Sequence, residues 1–243
     1  MAYAVAAMVS GAVQAQVFAK SSTPWPEFPD PPKAKVEWIS NDMRVNGIPM
    51  KVLQFKSEVS REEITSYYLA HWDQADPSLN LPANVKIKGA VVSQSGKDTI
   101  IGRAHGPFYM TVKVKNQGLG GSQGTMTTSL LLDVTPEING KGVPAPSDAN
   151  AINVVESADF GKKSKQVLFL SRSSVSSVKA YYERTVVAAG WRLLDLHGDG
   201  RAQNGVSGYV ITMAKKNEQL NVIIGNDVKH GGLTVINANL ISL

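Results

Sequence analysis

The sequence predicts an α+β fold of two tandem copies of a β-β-α-β-β-β unit, in which one helix packs on an antiparallel sheet. The first observation is a repeated stretch: SEVSREEITSYYLAHW begins at position 57 and SRSSVSSVKAYYERTV begins at position 171. The second is that residues flanking the Tyr-Tyr pair of each stretch match in the same order. The third is that alternating apolar and polar residues, typical of half-buried strands, lie around both stretches.

The matches indicate an internal duplication. At a spacing of 114, Phe55, Ser57, Ser60, Tyr67 and Tyr68 correspond to Phe169, Ser171, Ser174, Tyr181 and Tyr182. Further along the spacing falls to 110, where Ala104, Val112, Gly121 and Leu130 correspond to Ala214, Val222, Gly231 and Leu240. Matches in the same order on the same predicted elements favour a duplication over coincidence.

Each copy is predicted to begin with a hairpin that leads into a helix. Within residues 43–55, Asn46-Gly47 supplies the positive φ angles of a type I′ turn. Ser60 has the position of a helix N-cap, and Glu63 three residues later completes a capping box. One face of this helix is formed by Ile64, Tyr67, Tyr68 and His71.

Three strands are predicted to follow each helix. Met110, Val112 and Val114 alternate with polar residues as in a half-buried strand, and LNVII (220–224) is its counterpart in the second copy. The glycine-rich GLGGSQG (118–124) lies between two predicted strands and lacks the G-x-G-x-x-G spacing. It therefore predicts a hairpin turn, because phosphate-binding loops lead from a strand into a helix.

Residues 1–15 predict an export signal. They are uncharged, mostly small and apolar, and they end in Val13-Gln14-Ala15, which fits a small-x-small cleavage site. No basic residue precedes Lys20, so a disordered Ala-rich tail is the alternative interpretation. No segment reaches the length of about 20 apolar residues that a membrane-spanning helix needs.

Residues 16–35 predict a proline-rich tether, because five prolines lie between Pro24 and Pro32. The alternative is a recognition segment that presents Trp25 and Phe28 to a partner groove. A first repeat over 36–132, a linker over 133–151 and a second repeat over 152–243 complete the predicted organisation. The linker assignment follows from its high content of Pro, Gly, Asn and Asp.

Composition restricts the classes of partner and of chemistry. The net charge of +5 makes an anionic lipid or a cell-wall polymer an alternative partner, beside envelope proteins. Nucleic acid is not favoured, since only Tyr109 and Tyr209 are aromatic residues placed beside strand lysines. The absence of cysteine excludes disulfides, thiolate metal sites and a Cys nucleophile.

No catalytic, cofactor-binding or metal site is predicted. The chain has no H-E-x-x-H motif and no penicillin-recognising S-x-x-K followed by K-T-G. In DLHGDG (195–200), Asp195, His197 and Asp199 resemble the opening of a calcium loop. The twelfth position is Val206 instead of the bidentate Glu that such a loop requires, so a turn is predicted.

These observations predict a non-enzymatic, exported cell-envelope protein that is peripheral to the membrane. It would act as an adaptor or accessory subunit of an envelope assembly or secretion machine, binding protein partners by sheet edges or a groove. One alternative is a periplasmic binding module for a lipid or cell-wall fragment, and a second is an enzyme of a type the motifs do not reveal. The candidate interaction or pocket residues are Trp25, Phe28, Tyr67, Tyr68, Trp72, Tyr181, Tyr182 and Trp191.

Overall fold

A computed structural model describes residues 24–72, 89–118, 120–131, 134–159, 161–198, 208–227 and 232–242. These residues form twelve strands and two short helices. The elements before residue 132 are β1 (Ala34–Val45), β2 (Ile48–Ser57), α1 (Arg61–His71), β3 (Val91–Ser95), β4 (Asp98–His105), β5 (Phe108–Asn116) and β6 (Ser122–Leu130). The later elements are β7 (Asn150–Asp159), β8 (Lys162–Ser171), α2 (Val175–Tyr181) with a π-helical turn (Tyr182–Val186), β9 (Arg192–His197), β10 (Gly208–Lys215), β11 (Glu218–Asp227) and β12 (Leu233–Ser242).

The predicted α+β arrangement of two β-β-α-β-β-β units is wrong. The structure is mostly a 12-stranded antiparallel sheet, and the described residues contain only two short helices. Hydrogen bonds join the strands in the order β3-β4-β5-β6-β2-β1-β7-β8-β12-β11-β10-β9. Each helix is followed by four strands, whereas the sequence pattern predicted three.

The strands β3 and β9 are the two ends of the sheet order. All five residues of β3 are exposed, so burial imposes no alternation that a pattern could reveal. In β9 the register shifts opposite Thr212 and Met213, which leaves Leu194 without a partner and interrupts the two-residue period. An edge strand buries little, and its sequence is therefore weakly constrained.

The chain divides into two compact units, which are described separately. Among the described residues, the first unit contains those before Ser40 and Met50–Thr135. The second contains Ser40–Pro49 and the residues from Pro136 onwards. The predicted export signal (1–15) lies outside the described residues, as do residues 16–23 of the predicted tether.

The predicted Asn46-Gly47 turn is confirmed. Asn46 has φ 51° and Gly47 has φ 79°, the positive angles that a type I′ turn requires. Asn46 also exchanges hydrogen bonds with Val154 inside the second unit: its N–H donates to the Val154 carbonyl, and its side-chain Oδ1 accepts from the Val154 N–H, both at 2.8 Å. The turn therefore has a tertiary contact that its local sequence did not indicate.

Both helices begin at the predicted serine caps. The Ser60 hydroxyl accepts a hydrogen bond from the Glu63 N–H, and the Ser174 hydroxyl accepts one from the Ser177 N–H. After the helical residues of the second unit, the chain turns at Gly190, whose φ of 90° favours glycine. Each helix therefore has a local start signal in its own sequence.

Each unit has its own hydrophobic core between its helix and the inner face of its strands. In the first unit the predicted alternation of β5 is confirmed, since Met110, Val112 and Val114 are buried and the residues between them are more exposed. The first core is formed by Phe55, Val59, Ile64, Tyr68, Trp72, Ala90, Ile101, Met110, Val112, Val114 and Met126. Principal residues of the second core are Val167, Phe169, Val178, Tyr182, Val186, Trp191, Ile211, Met213, Leu220, Val222, Ile224 and Ile236.

Residues 24–33, here called the first strap, pack against the first unit. The Pro32 carbonyl accepts a hydrogen bond from the Ser57 hydroxyl at 2.6 Å, and the Lys33 carbonyl accepts one from the Glu58 N–H. The Pro29 carbonyl accepts from the Tyr68 hydroxyl at 2.8 Å. The described part of the predicted tether is therefore attached to the first core.

Residues 140–149, here called the second strap, pack in the same way on the second unit. The Pro144 carbonyl accepts a hydrogen bond from the Tyr182 hydroxyl at 2.8 Å. The Asp148 carboxylate accepts from the Ser171 hydroxyl at 2.8 Å and from the N–H groups of Arg172 and Ser173 at 3.0 Å each. The middle of the predicted linker is therefore attached to the second core.

The ladders also correct the predicted correspondence of the last strands. Ser57 pairs with Ser122 in the first unit, whereas Ser171 pairs with Thr234 in the second, so β6 and β12 match at a spacing of 112. Gly124 therefore corresponds to Ile236. The Phe55 ring occupies the space over Gly124, since an added Cβ there would lie 2.7 Å from it.

Candidate protein-binding surface

The candidate aromatic residues of helix α1 lie mainly in the first core. Tyr68 is fully buried and Trp72 is 2% exposed. Tyr67 is half-buried and meets Tyr68 edge-on, with 5.3 Å between the ring centroids. Since the ring of Tyr68 also lies 5.0 Å from that of Trp72, this group packs as one aromatic cluster of the interior.

The second unit repeats this arrangement. Tyr182 is fully buried, Trp191 is 7% exposed, and Tyr181 is half-buried with its ring 5.2 Å from that of Tyr182. The structure thus places the two aromatic sets in two separate cores. Burial raises the pKa of the Tyr68 and Tyr182 hydroxyls, which are held neutral as hydrogen-bond donors to the straps.

Trp25 and Phe28 belong to the first strap and contact the first unit. The Trp25 ring lies 4.9 Å from that of Phe108, and Lys51 Nζ lies 5.1 Å from the Trp25 ring centroid. The Phe28 ring lies 6.0 Å from that of Trp72. Both side chains are half-buried, so they fasten the strap while keeping part of their surface accessible.

The most accessible apolar strand of the first unit is β3. It pairs with β4, and within the described part of the chain no strand pairs with its other side. Its sequence VVSQS has no charge, and Val91 and Val92 are 61% and 40% exposed. Unpaired edge strands accept further strands, and proteins usually protect them with charges, proline or bulges.

The backbone direction of β3 follows from its hairpin with β4. Ser95 and Asp98 flank a two-residue turn and form the hydrogen-bonded pair that closes it. Because hydrogen-bonded and non-hydrogen-bonded pairs alternate, the peptide groups of Val92 and Gln94 point away from β4. These groups are available to an added strand.

The terminal strand of the second unit, β9, has the protection that β3 lacks. Its register shift leaves the extra residue Leu194, which bends the strand and disrupts regular pairing. It also carries Arg192, Asp195 and His197, and His197 Nε2 lies 2.6 Å from Asp195 Oδ2. The edge at β3 is therefore the better acceptor of a partner strand.

The outward face of the first unit has a cleft of about 330 Å³. Its lining residues are Gln54, Phe55, Lys56, Asp98, Lys113, Lys115, Gln123, Gly124 and Thr125. Lys56, Gln123 and Lys115 form one row across the strands β2, β6 and β5. The alternation of β5 places Lys113 and Lys115 on its exposed face, and the ladders show that Lys115 lies in the row.

The second unit has a cleft of about 400 Å³ with mixed charge. It is lined by Asp42, Arg44, Glu156, Ser157, Ala158, Lys163, Ser164, Lys165, Leu240 and Ser242. Lys165 pairs with Glu156 at 3.1 Å, so part of this charge is neutralised internally. Among the described residues no group of three or more His, Asp or Glu side chains is placed to hold a metal ion.

Comparison with known proteins gives little. No protein family model and no curated protein match the chain. Among solved structures, it is similar to a chain of "The crystal structure of Tle4-Tli4 complex", with 9% identity, coverage of 88% of this chain and 82% of that chain, and a TM-score of 0.26. A TM-score this low carries no argument about fold or function.

No helix among the described residues has the length and apolar character needed to cross a membrane.

Proposed function

We propose that the protein is a non-enzymatic adaptor or accessory subunit of a cell-envelope assembly or secretion machine. In this proposal it is exported, lies peripheral to the membrane and binds a protein partner by strand addition at β3. The observation that carries the binding mode is the exposed, uncharged edge of β3. Export is supported by the uncharged N-terminal segment and its small-x-small site before Gln16.

A strand added at β3 supplies both affinity and selectivity. Its backbone would exchange hydrogen bonds with the outward peptide groups of Val92 and Gln94. The exposed side chains of Val91 and Val92 would lose apolar surface to water on binding, which contributes about 25 cal/mol per Å². The bulged and charged β9 makes the corresponding addition at the second unit less favourable.

The alternative of a lipid-binding or wall-fragment-binding module receives less support. The pocket of such a module would be lined by the six aromatic residues of the two helical regions. Four of these side chains are buried, namely Tyr68, Trp72, Tyr182 and Trp191. The Tyr68 and Tyr182 hydroxyls already donate to strap carbonyls. These residues therefore fill the interior of their units instead of lining an open pocket.

The test is crosslinking in the native cells, followed by affinity purification of the tagged full-length protein and mass spectrometry. We expect reproducible recovery of one envelope protein with the wild type. Val92→Pro removes the outward N–H and should abolish the recovery, while keeping the β3–β4 hydrogen bonds. Val92→Thr retains that N–H and is the matched control, which should recover the same partner.

Equal recovery with Val92→Pro and wild type would contradict strand addition at β3. Recovery of nucleic acid and cytoplasmic proteins would contradict the adaptor proposal as a whole. Unfolding midpoints of both variants establish that the fold is intact. N-terminal sequencing of the protein from fractionated cells tests export separately, and the expected first residue is Gln16.

A further inference from the structure

We propose that the outward face of the first unit binds an acidic peptide segment of the protein partner. The site is the 330 Å³ cleft lined by Lys56, Lys113 and Lys115, here called the lysine cleft. This inference rests on the proposed function, because it specifies the chemistry of the partner that the first unit recognises. Four observations carry it: charge, spacing, hydrogen-bonding groups and the difference from the second unit.

The lysine cleft carries excess positive charge. Three lysines line it against the single carboxylate of Asp98, which pairs with Lys113 at 2.8 Å. Within the described residues no carboxylate lies within ion-pair distance of Lys56 or Lys115. The nearby Glu37 pairs with Lys35 at 2.6 Å, and its pKa is lowered by Lys35, by Gln54 and, to a smaller extent, by the charge of Lys56. An anionic ligand would therefore meet two ammonium groups that form no ion pair within the described residues.

The spacing of these two lysines suits an extended chain. Lys56 and Lys115 lie opposite each other with Gln123 of β6 between them. Two strand spacings separate their backbones by about 10 Å. An extended peptide rises about 3.3 Å per residue, so acidic residues two to four positions apart would reach both lysines.

Two glutamines that line the cleft suit peptide amides as well as carboxylates. Gln123 Oε1 accepts from Gln117 Nε2 at 2.8 Å, which leaves the Gln123 amide N–H groups for a ligand carbonyl. Gln54 Nε2 donates to Glu37, which leaves Gln54 Oε1 for a ligand N–H. A free phosphate has no N–H donor for this oxygen, whereas a peptide has both kinds of group.

The fold does not require lysine at these positions. The row Lys56–Gln123–Lys115 corresponds in the second unit to Leu170, Val235 and Gly225. Lys113 corresponds to Ile223, which is 54% exposed. A unit with the same element order therefore forms without charge at these positions.

The experiment measures binding of a fluorescein-labelled ten-residue peptide of alternating Glu and Thr by fluorescence anisotropy. The full-length wild type should bind the peptide, and binding should weaken as salt is raised from about 50 to 300 mM. The double variant Lys56→Gln/Lys115→Gln should weaken binding by about tenfold or more. A matched control, Lys162→Gln/Lys216→Gln, removes the same charge from exposed lysines of the second unit and should change binding less than about twofold.

Equal losses in the two double variants would overturn the inference, because binding would then follow net charge alone. Absence of peptide binding by the wild type would also overturn it. Displacement by inorganic phosphate at equal ionic strength, or binding to phosphatidylglycerol vesicles but not to the peptide, would identify a small-anion or headgroup site instead. A labelled Gln and Thr peptide of the same length should not bind.

This experiment separates the inference from the proposed function. Peptide binding uses the purified protein and no partner, whereas strand addition is tested by Val92→Pro in cells. If partner recovery depends on Val92 but the peptide does not bind, acidic-peptide binding at the lysine cleft is contradicted and the adaptor proposal stands. If the peptide binds and no partner is recovered, the adaptor proposal fails and an anionic peptide site remains.

Discussion

The two units have the same interior plan and different outward faces. In each, a buried tyrosine of the helix donates to a proline carbonyl of the preceding strap, Tyr68 to Pro29 and Tyr182 to Pro144. On the outward face, the row that contains Lys56 and Lys115 in the first unit is aliphatic in the second. Interior positions are thus set by packing, whereas outward positions were able to diverge.

The largest change in the free energy of unfolding is expected from variants of the two buried tyrosines, which test whether the two cores are equivalent. Tyr68→Ala and Tyr182→Ala should each lower the free energy of unfolding by about 3–5 kcal/mol, because each leaves a cavity in a closed core. Tyr68→Phe and Tyr182→Phe keep the ring and lose only the strap hydrogen bond, so we expect losses of about 1 kcal/mol. Urea unfolding followed by circular dichroism measures all four. A loss below about 1 kcal/mol for one alanine variant alone would show that the two interiors are not equivalent.

A smaller change in the free energy of unfolding is expected when the hydrogen bonds that hold the second strap are removed. The Ser171 hydroxyl, together with the N–H groups of Ser173 and Arg172, holds the pKa of Asp148 below its usual 3.8. A lowered folded-state pKa means that this stabilisation is complete above the unfolded value and is lost as pH falls through the folded value. Asp148→Asn should cost about 1–2 kcal/mol at neutral pH for this partly exposed group.

The first strap contains no such titrating acceptor. There Ser57 and Glu58 donate to the backbone carbonyls of Pro32 and Lys33, and backbone carbonyls do not titrate. Unfolding measured from pH 7 to pH 3 should therefore show a smaller acid-induced loss in Asp148→Asn than in the wild type. Identical pH profiles for the two proteins would contradict the assigned role of the carboxylate.

The smallest change in stability is expected when residues of the two outward faces are exchanged. Ile223→Lys places on the second unit the charge found at Lys113 of the first, and it should change stability by less than about 0.5 kcal/mol because Ile223 is more than half exposed. Lys113→Ile is the reciprocal variant, with a similarly small effect expected. Thermal unfolding of both variants checks this. A loss above about 1 kcal/mol from Ile223→Lys would mean that packing fixes this face after all.

Local signals in the sequence predicted local features well. The Asn46-Gly47 turn, the Ser60 and Ser174 caps and the buried face of β5 are all as predicted, because each depends on residues close together in the chain. The fold class was wrong because the described residues form mostly a 12-stranded antiparallel sheet with only two short helices, and no local pattern specifies pairing between distant strands. The eight candidate residues were chosen as surface or pocket aromatics, and most of them are core or strap residues.

Residues close together in the chain are enough to specify the turns, the helix starts and the recurring Tyr-Tyr stretch, since φ preferences, capping groups and apolar spacing act over a few residues. Long-range packing, in contrast, places proline-containing segments about 40 residues upstream where their carbonyls accept hydrogen bonds from the tyrosine hydroxyls. It also places Lys56 and Lys115, on strands far apart in sequence, in one row. Such contacts depend on ladder register between distant segments, and no local pattern specifies that register.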